Sequence, residues 1–264
     1  MISGKNLSGF TLIELAMVLF IVALILGGVL TPLSTRLEQA NRKQAEDMLK
    51  EIKSSLIGYA LVTGHLPCPD CPGNGASPNC GNNTAVSNDG IEDGLDNASN
   101  PISPRNNNFL NGCVVQVGNV PWATLGVPEF DPWGHHYVYS VTQLSPPPTA
   151  VGFADDNDGT NNPNCSTTAG VSFQLCSQGD MTIEDVSLNI IASQVPVVIL
   201  SYGADGQAYG GTAPTSASEI ENWWSDTDGT FISNDYIADQ FDDLVQWIST
   251  PELMYRMVTA ERLP

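Results

Sequence analysis

The chain of 264 residues carries 29 acidic residues against nine lysines and arginines, and its formal net charge is −20. The imbalance is greatest beyond Gly58, where 24 acids face only Arg105, Arg256 and Arg262. Such a surface repels nucleic-acid phosphates and anionic lipid headgroups, which argues against a nucleic-acid partner and favours divalent cations.

The first 30 residues combine a polar start with a long apolar run. Residues 1–9 form a short leader, and residues 10–30 carry no charge except Glu14. At about 1.5 Å of rise per residue, a helix over this run spans about 31 Å, enough to cross the hydrocarbon core of a membrane. A secretory signal peptide has its cleavage site after the apolar run, whereas Gly9 precedes it. Cleavage at Gly9 would therefore leave the apolar helix on the mature protein.

The helix is predicted to continue beyond the apolar run as an amphipathic segment. Pro32 favours a kink, because proline removes one hydrogen bond of the helix. After it, apolar residues recur at spacings of three and four among charged residues, which predicts a helix that ends near Gly64. These apolar residues are Ala45, Leu49, Ile52, Leu56 and Tyr59. One helix over residues 10–63 would be half membrane anchor and half support for a sheet.

The rest of the chain alternates irregular segments with short strands. Residues 67–111 are dense in Gly, Pro, Asn and Asp and lack periodicity, which predicts an irregular loop region. Strands are predicted at 113–117, 137–142, 171–175 and 195–201. One or two short helices are predicted within residues 235–264.

Six cysteines lie beyond the apolar run, and their even number predicts disulfide bonds in an oxidising compartment. They are Cys68, Cys71, Cys80, Cys113, Cys165 and Cys176. Cys165 and Cys176 close a short loop and are the preferred pair, whereas the other four can pair in three ways. The CxxC formed by Cys68 and Cys71 would need a second ligand pair to bind zinc, or a thioredoxin-like context for redox chemistry. Neither is visible in the sequence.

The segment Gly9-Phe10-Thr11-Leu12-Ile13-Glu14 resembles the cleavage site of type IV prepilins and type II secretion pseudopilins. The resemblance implies that a prepilin peptidase cuts after Gly9 and that the new terminal residue, Phe10, is methylated. It also implies that Glu14 pairs with the N-terminal amine of a neighbouring subunit and sets the register of filament assembly. A carboxylate in hydrocarbon costs roughly 2.5 to 3.5 kcal/mol, which is a physical reason for such a partner. The alternative is an ordinary single-pass anchor in which Glu14 has no role.

Two later segments are similar to the major pseudopilin of type II secretion systems. Residues 131–139 resemble its Pro-Trp-Gly turn and the following strand, and residues 201–223 resemble its calcium loop. The resemblance implies a calcium ion held by the carbonyl of Tyr202, by the carboxylates of Asp205 and Glu219, and by oxygen from Ser216 or Ser218. Calcium takes six to eight oxygen ligands from flexible loops, which suits this glycine-rich segment. The alternative is a surface turn whose acids are solvated.

An enzymatic function has little support in the sequence. His135 and His136 are adjacent, so a regular strand cannot direct both into one site, and His65 is far away in sequence. The sequence lacks the metalloprotease, nucleophile-elbow and phosphate-loop motifs. The remaining enzymatic alternative is a membrane-anchored periplasmic hydrolase that uses carboxylates as acid and base.

The resemblance and the patterns together predict an α+β, pilin-like fold, in which a long N-terminal helix packs on an antiparallel sheet with long loops. The predicted parts are a leader (1–9), a transmembrane and filament-core half of the helix (10–33), and a periplasmic head (34–264). The predicted function is that of a structural subunit of a type IV pilus or a secretion pseudopilus. A minor subunit at the filament tip, which binds a target or initiates assembly, is the alternative.

The same resemblance implies the partners and the location. The partners are other pilin subunits, the prepilin peptidase and an inner-membrane assembly platform. The expected location is the bacterial inner membrane with the head in the periplasm, followed by a periplasmic or cell-surface filament.

Overall fold

The computed structural model describes residues 11–72, 88–96, 101–102, 109–142, 152–154, 172–206, 214–223, 229–238 and 240–263; of residues 25–34, 96, 101–102 and 109–111 it describes the backbone only. Within these ranges the chain is α+β, as the sequence predicts. The helices are α1 (Leu12–Thr63), α2 (Trp122–Leu125), α3 (Ala217–Glu221) and α4 (Thr250–Thr259). The strands are β1 (Gly94–Asp96), β2 (Pro101–Ile102), β3 (Phe109–Cys113), β4 (Val117–Asn119), β5 (Val138–Val141), β6 (Met181–Glu184), β7 (Ile190–Val195), β8 (Val197–Ser201), β9 (Thr230–Ile232) and β10 (Leu244–Ile248). The chain forms two compact units, Met1–Lys43 and Gln44–Pro264.

Helix α1 ends where the sequence predicts and continues through Pro32. Gly64 stops it with a left-handed backbone (φ 86°), and its N–H donates to the carbonyl of Ala60 at 2.9 Å. A glycine in this conformation is a common end of a helix. Four of the predicted apolar residues, Ala45, Leu49, Ile52 and Leu56, are buried, and Tyr59 is half-buried.

A four-stranded antiparallel sheet, in the order β10-β8-β5-β4, lies at the centre of the second unit. Tyr139 of β5 and Ile199 of β8 are partners across the sheet and belong to the core that includes α1. Their chain neighbours Val138 and Leu200 belong to a second core on the other face. Because side chains alternate along a strand, burial on both faces explains why β5 and β8 are almost continuously apolar.

Helix α4 completes the core on the α1 side and confirms that the C-terminal segment contains a helix. The hydroxyl of Ser249 caps it by accepting from the N–H of Glu252 at 3.3 Å. Leu253 and Met257 are buried in the same core as the α1 residues. An ion pair of 2.7 Å between Lys53 Nζ and a carboxylate oxygen of Glu252 joins the two helices.

The other face of the central sheet is covered by a three-stranded sheet in the order β7-β6-β9. Strand β6 pairs antiparallel with β7 and parallel with β9. The parallel pair differs from the antiparallel sheet that the sequence predicts. Parallel neighbours need a long crossover connection, and residues 185–229 supply one that includes β7, β8 and α3.

The remaining sheet, in the order β2-β1-β3, lies within the stretch predicted as irregular. The prediction for residues 67–111 is therefore wrong in part, since short strands escape a search for periodicity. The predicted strands at 137–142 and 195–201 are confirmed as β5 and β8.

The strands predicted at 113–117 and 171–175 are wrong. Both segments contain buried apolar residues, but neither segment forms the predicted strand. Within 113–117, β3 ends at Cys113, and the N–H of Val114 turns to the carbonyl of Asp93 at 3.2 Å before β4 begins. Within 172–175, Phe173 is buried against the ring of Phe153, with centroids 4.9 Å apart. Residue 171 lies outside the described residues.

A disulfide joins Cys68 to Cys113, which occurs in one of the three predicted pairings of the four cysteines and excludes the other two. It links the segment after α1 to the end of β3. Cys71 and Cys176 are also disulfide-bonded. Cys80 and Cys165 lie outside the described residues, so the pairing of Cys165 with Cys176 stays a prediction.

Candidate functional site

The start of α1 holds a reciprocal pair of hydrogen bonds between Thr11 and Glu14. The hydroxyl oxygen of Thr11 accepts from the N–H of Glu14 at 3.3 Å, and a carboxylate oxygen of Glu14 accepts from the N–H of Thr11 at 3.5 Å. This is a capping box, in which two residues satisfy each other's backbone donors. Helix capping is therefore an alternative to the filament-register role that the resemblance implies for Glu14. Gly9 and Phe10 lie outside the described residues.

The apolar side chains around Glu14 are exposed in the single chain. Every large apolar residue from 12 to 24 is between 44% and 88% exposed, with Val22 and Leu12 at the two limits. Single exposed apolar residues are normal on a protein surface, but a contiguous apolar surface marks a site of association. In the described part of the chain, no helix is both long and apolar enough to cross a membrane.

A cluster of three carboxylates lies at the end of the central sheet. Antiparallel pairing sets Leu244, the first residue of β10, beside Ser201, the last residue of β8. The loop after β8 and the residues before β10 therefore meet at one edge, next to α3. One carboxylate oxygen each from Asp205, Glu219 and Asp242 lies within 4.8 Å of the other two.

Backbone hydrogen bonds fix the shape of this cluster. A carboxylate oxygen of Asp242 accepts from the N–H groups of Ala204 and Asp205, at 2.7 and 3.3 Å. A carboxylate oxygen of Glu219 accepts from the N–H of Asp242 at 3.2 Å. Gly203 has a left-handed backbone (φ 69°), and a Cβ there would lie 2.5 Å from the carboxyl carbon of Asp242. Only glycine allows the loop to approach this carboxylate so closely.

Burial and mutual repulsion raise the pKa values of the acids in this region. Burial raises the pKa of Asp242, and a hydrogen bond and the charge of Asp205 raise it further. Burial and then Asp205 raise the pKa of Glu219. The neighbouring Asp243 is buried and accepts a hydrogen bond from the side-chain amide of Asn222 at 2.8 Å, and burial raises the pKa of Asp243 strongly. A cation bound here would relieve both the burial of charge and the repulsion.

A small pocket lies beside the cluster, lined by Asp205 and Glu219 but not by Asp242. Its free space is about 10 Å³, the room that one water molecule needs. The pocket is lined by Tyr202, Asp205, Gly206, Pro214, Glu219, Trp223 and Asp243. Carboxylate oxygens are hard ligands that calcium prefers, so the donor set fits a calcium ion.

The structure brings together some of the predicted ligands. Asp205 and Glu219 meet in the cluster, and Tyr202 lines the same pocket with its carbonyl oxygen near Gly206. Ser216 is the N-cap residue of α3 and Ser218 lies in the first turn of that helix. Neither serine is among the described residues that line the pocket.

Asp242 and Asp243 were not among the predicted ligands, although a signal for them exists in the sequence. The two acids immediately precede the apolar strand β10, and that strand pairs with β8, which leads into the loop. The pairing of two strands that are more than 40 residues apart is not visible in local patterns. A ligand search that started from the ends of paired strands would have included both acids.

The two adjacent histidines contact different neighbours and lie before β5 rather than within a strand. His135 approaches the carbonyl of Gly203 at 3.2 Å and so supports the loop that carries Asp205. His136 stacks on Trp122 with ring centroids 5.0 Å apart. The backbone N–H of His135 donates to a carboxylate oxygen of Asp131 at 2.8 Å, which holds the histidine in place.

Comparison with known proteins gives no match: no family model, no curated protein and no solved structure matches this chain.

Proposed function

We propose that this protein is a structural subunit of a type IV pilus or of a type II secretion pseudopilus. The observation that carries the proposal is the exposed apolar surface of α1 between residues 12 and 24. A surface of this kind needs cover, either from lipid or from equivalent helices of other copies. A filament subunit uses both in succession, in the membrane before assembly and in the filament core after it.

The second half of α1 supports the same proposal. Its apolar stripe is buried on a four-stranded antiparallel sheet, so one continuous helix serves both as core of the second unit and as an apolar segment. A pilin-like fold is expected to combine these two roles in one helix. The motif from Gly9 to Glu14 supplies the processing site and the acid that such a subunit needs.

The carboxylate cluster has a stabilising role in this proposal. Asp205, Glu219 and Asp242 would hold one calcium ion between the loop after β8, helix α3 and the start of β10. When bound, the ion supplies positive charge that cancels the repulsion among these acids. No chemical reaction is assigned to it.

Mass spectrometry of the mature protein tests the proposal. The mature chain should begin at Phe10, with the mass of one added methyl group, and should be recovered in filaments sheared from the cell. A mature chain that begins beyond Leu30 has lost the apolar surface, and this result would overturn the proposal.

A further inference from the structure

The turn between β6 and β7 holds a leucine in a backbone conformation that leucine rarely adopts. Leu188 has a left-handed backbone (φ 63°), a conformation that glycine or asparagine adopts at lower cost. Hydrogen bonds hold the turn in this shape, since a carboxylate oxygen of Asp185 accepts from the N–H groups of Ser187 and Asn189 at 2.7 and 3.0 Å. The side chain of Leu188 is nevertheless 73% exposed, so burial within the chain does not offset the strain. Leu188 therefore presents a large apolar side chain on a turn that asparagine or glycine would form at lower cost, and this suits a contact with another molecule.

Leu188 is part of a larger exposed apolar surface. Val186, Leu188, Ile190 and Ile191, which we call the hairpin patch, are all exposed. Residues 186–204 contain no charged side chain, although the chain as a whole is strongly acidic. Glu184 is the partner of Ile190 across the hairpin, so its carboxylate lies on the same face as that side chain.

A second exposed surface combines apolar residues with arginines. Val62 at the end of α1 and Tyr255 and Val258 on α4, which we call the helix patch, are 76%, 68% and 41% exposed. The guanidinium of Arg262 donates to the backbone carbonyl of Val62 and so holds the two helix ends together. Arg256 lies next to Tyr255, is exposed, and forms no ion pair among the described residues.

Charge identifies the occupant of these surfaces as another copy of the chain. Two of the three arginines beyond residue 58, Arg256 and Arg262, lie at the helix patch, and Glu184 lies at the hairpin patch. Elsewhere the acidic surfaces of two copies repel each other, and an anionic membrane would repel them too. An apolar surface with two acids, Glu184 and Asp185, can therefore meet an apolar surface with two arginines and one acid, Glu261, on the next copy.

We propose that the hairpin patch of one subunit packs on the helix patch of the next, with Glu184 facing Arg256. This inference rests on the proposed function, because it assumes that copies assemble. The two surfaces are different, so the contact is heterologous. Repeated heterologous contacts that do not close into a ring produce an open helical filament.

The first experiment uses the full-length chain in cells that produce the filament. The substitution Leu188→Asn relieves the left-handed strain, because asparagine accepts this conformation. The variant should melt at the wild-type temperature or above it, yet its yield in sheared filaments should fall about tenfold or more, the change expected for a loss of ~1.4 kcal/mol. Leu175→Asn is the matched control, since Leu175 is 55% exposed and lies outside both patches. Normal yield for Leu188→Asn would overturn the proposal.

Charge reversal tests the pairing of the two patches. Glu184→Arg and Arg256→Glu should each reduce the yield of filaments, and the double variant should restore it. A double variant that is no better than the single ones would contradict the contact.

Cross-linking identifies the surface that Leu188 touches. A photo-crosslinking amino acid in place of Leu188 should form subunit dimers whose joined peptide contains Val62 or residues from 250–263. Cross-links to lipid, or to another region of the chain, would overturn the proposal. These results are separate from a failure of the proposed function, in which the wild-type chain itself would form no filaments.

Discussion

Glu14 can act through its hydrogen bonds or through its charge, and a pair of substitutions separates the two. Its carboxylate accepts from the N–H of Thr11 in a capping box. A glutamine at position 14 can make the same bond without a charge. An alanine can make neither interaction, so the two variants differ only in capping.

We expect Glu14→Ala and Glu14→Gln both to impair incorporation into filaments, because both lack the charge that would pair with a neighbouring N-terminal amine. Membrane insertion and cleavage should be spared. The measurements are the filament content of sheared material and the N-terminal mass of the subunit. Normal filament content for Glu14→Gln, with a defect for Glu14→Ala, would show that Glu14 acts as a helix cap alone.

Asp70 is a fully buried acid next to the Cys68–Cys113 disulfide. Its two carboxylate oxygens accept from the N–H groups of Asn88 and Gly90 at 3.2 and 3.3 Å. Burial raises the pKa of Asp70 to about 8, the charge of Asp93 adds to the rise, and the hydrogen bond from Gly90 opposes it. The folded state therefore holds a proton that the unfolded state releases near pH 4.

The free energy of unfolding should consequently decrease as the pH rises from about 4 to about 8, because the unfolded chain binds fewer protons than the folded chain in this window. Asp70→Asn should make this pH dependence flatter. It should also lower stability at pH 5 by about 1–3 kcal/mol, since the amide group cannot accept from both N–H donors. Denaturant unfolding at several pH values measures both effects. An unchanged slope in Asp70→Asn would mean that other acids cause the pH dependence.

At the scale of elements, the sequence predicts those parts of the fold that repeat at regular intervals. The stripe from Ala45 to Leu56 predicts the buried face of α1, and apolar runs predict β5 and β8. Strands β6, β7 and β9 escape prediction because they are short, two of them are irregular in register, and one pairs in parallel with a distant partner. Asp242 was missed for the same reason, since only the pairing of β8 with β10 brings it to the loop.

The loop after β8, helix α3 and the start of β10 should be stabilised together by calcium. A ligand that binds only the folded state at a hundredfold excess over its Kd adds about 2.7 kcal/mol. For a domain of this size that corresponds to a rise in melting temperature of roughly 5–10 °C. Asp205→Asn should abolish the rise with little effect on the calcium-free protein, because Asp205 is exposed. The matched control is Asp235→Asn, at an exposed acid outside the cluster.

The rise in melting temperature caused by calcium should also depend on pH. Burial raises the pKa values of Asp242, Asp243 and Glu219, so without calcium the stability contributed by these acids falls as the pH rises from about 4 through their raised pKa values. A calcium ion at this site would bind the ionised acids, so its effect on melting should be larger at pH 8 than at pH 5. Melting of the full-length chain in detergent, with calcium or a chelator, measures it. Equal melting temperatures in the two solutions at pH 8 would mean that these acids bind no calcium.

At the scale of the whole molecule, the distribution of charge opposes association while the apolar surfaces favour it. Beyond residue 58 the acids exceed the arginines by 21. Any assembly must bring these acidic surfaces close to one another. The proposed contact between Glu184 and Arg256 would contribute one attraction per subunit, and exposed ion pairs of this kind are weak. Net repulsion should therefore dominate the dependence of assembly on salt.

Assembly of the detergent-solubilised, full-length chain should increase when the salt concentration rises from about 0.01 M to about 0.15 M, because the screening length falls from about 30 Å to about 8 Å. Calcium should promote assembly at lower ionic strength than sodium does, since an ion bound at Asp205, Glu219 and Asp242 removes two negative charges from each subunit. Sedimentation at a fixed protein concentration measures both effects, and Asp205→Asn should lose the advantage of calcium. Assembly that instead decreases as salt rises would mean that ion pairs between subunits, rather than burial of apolar surface, drive association.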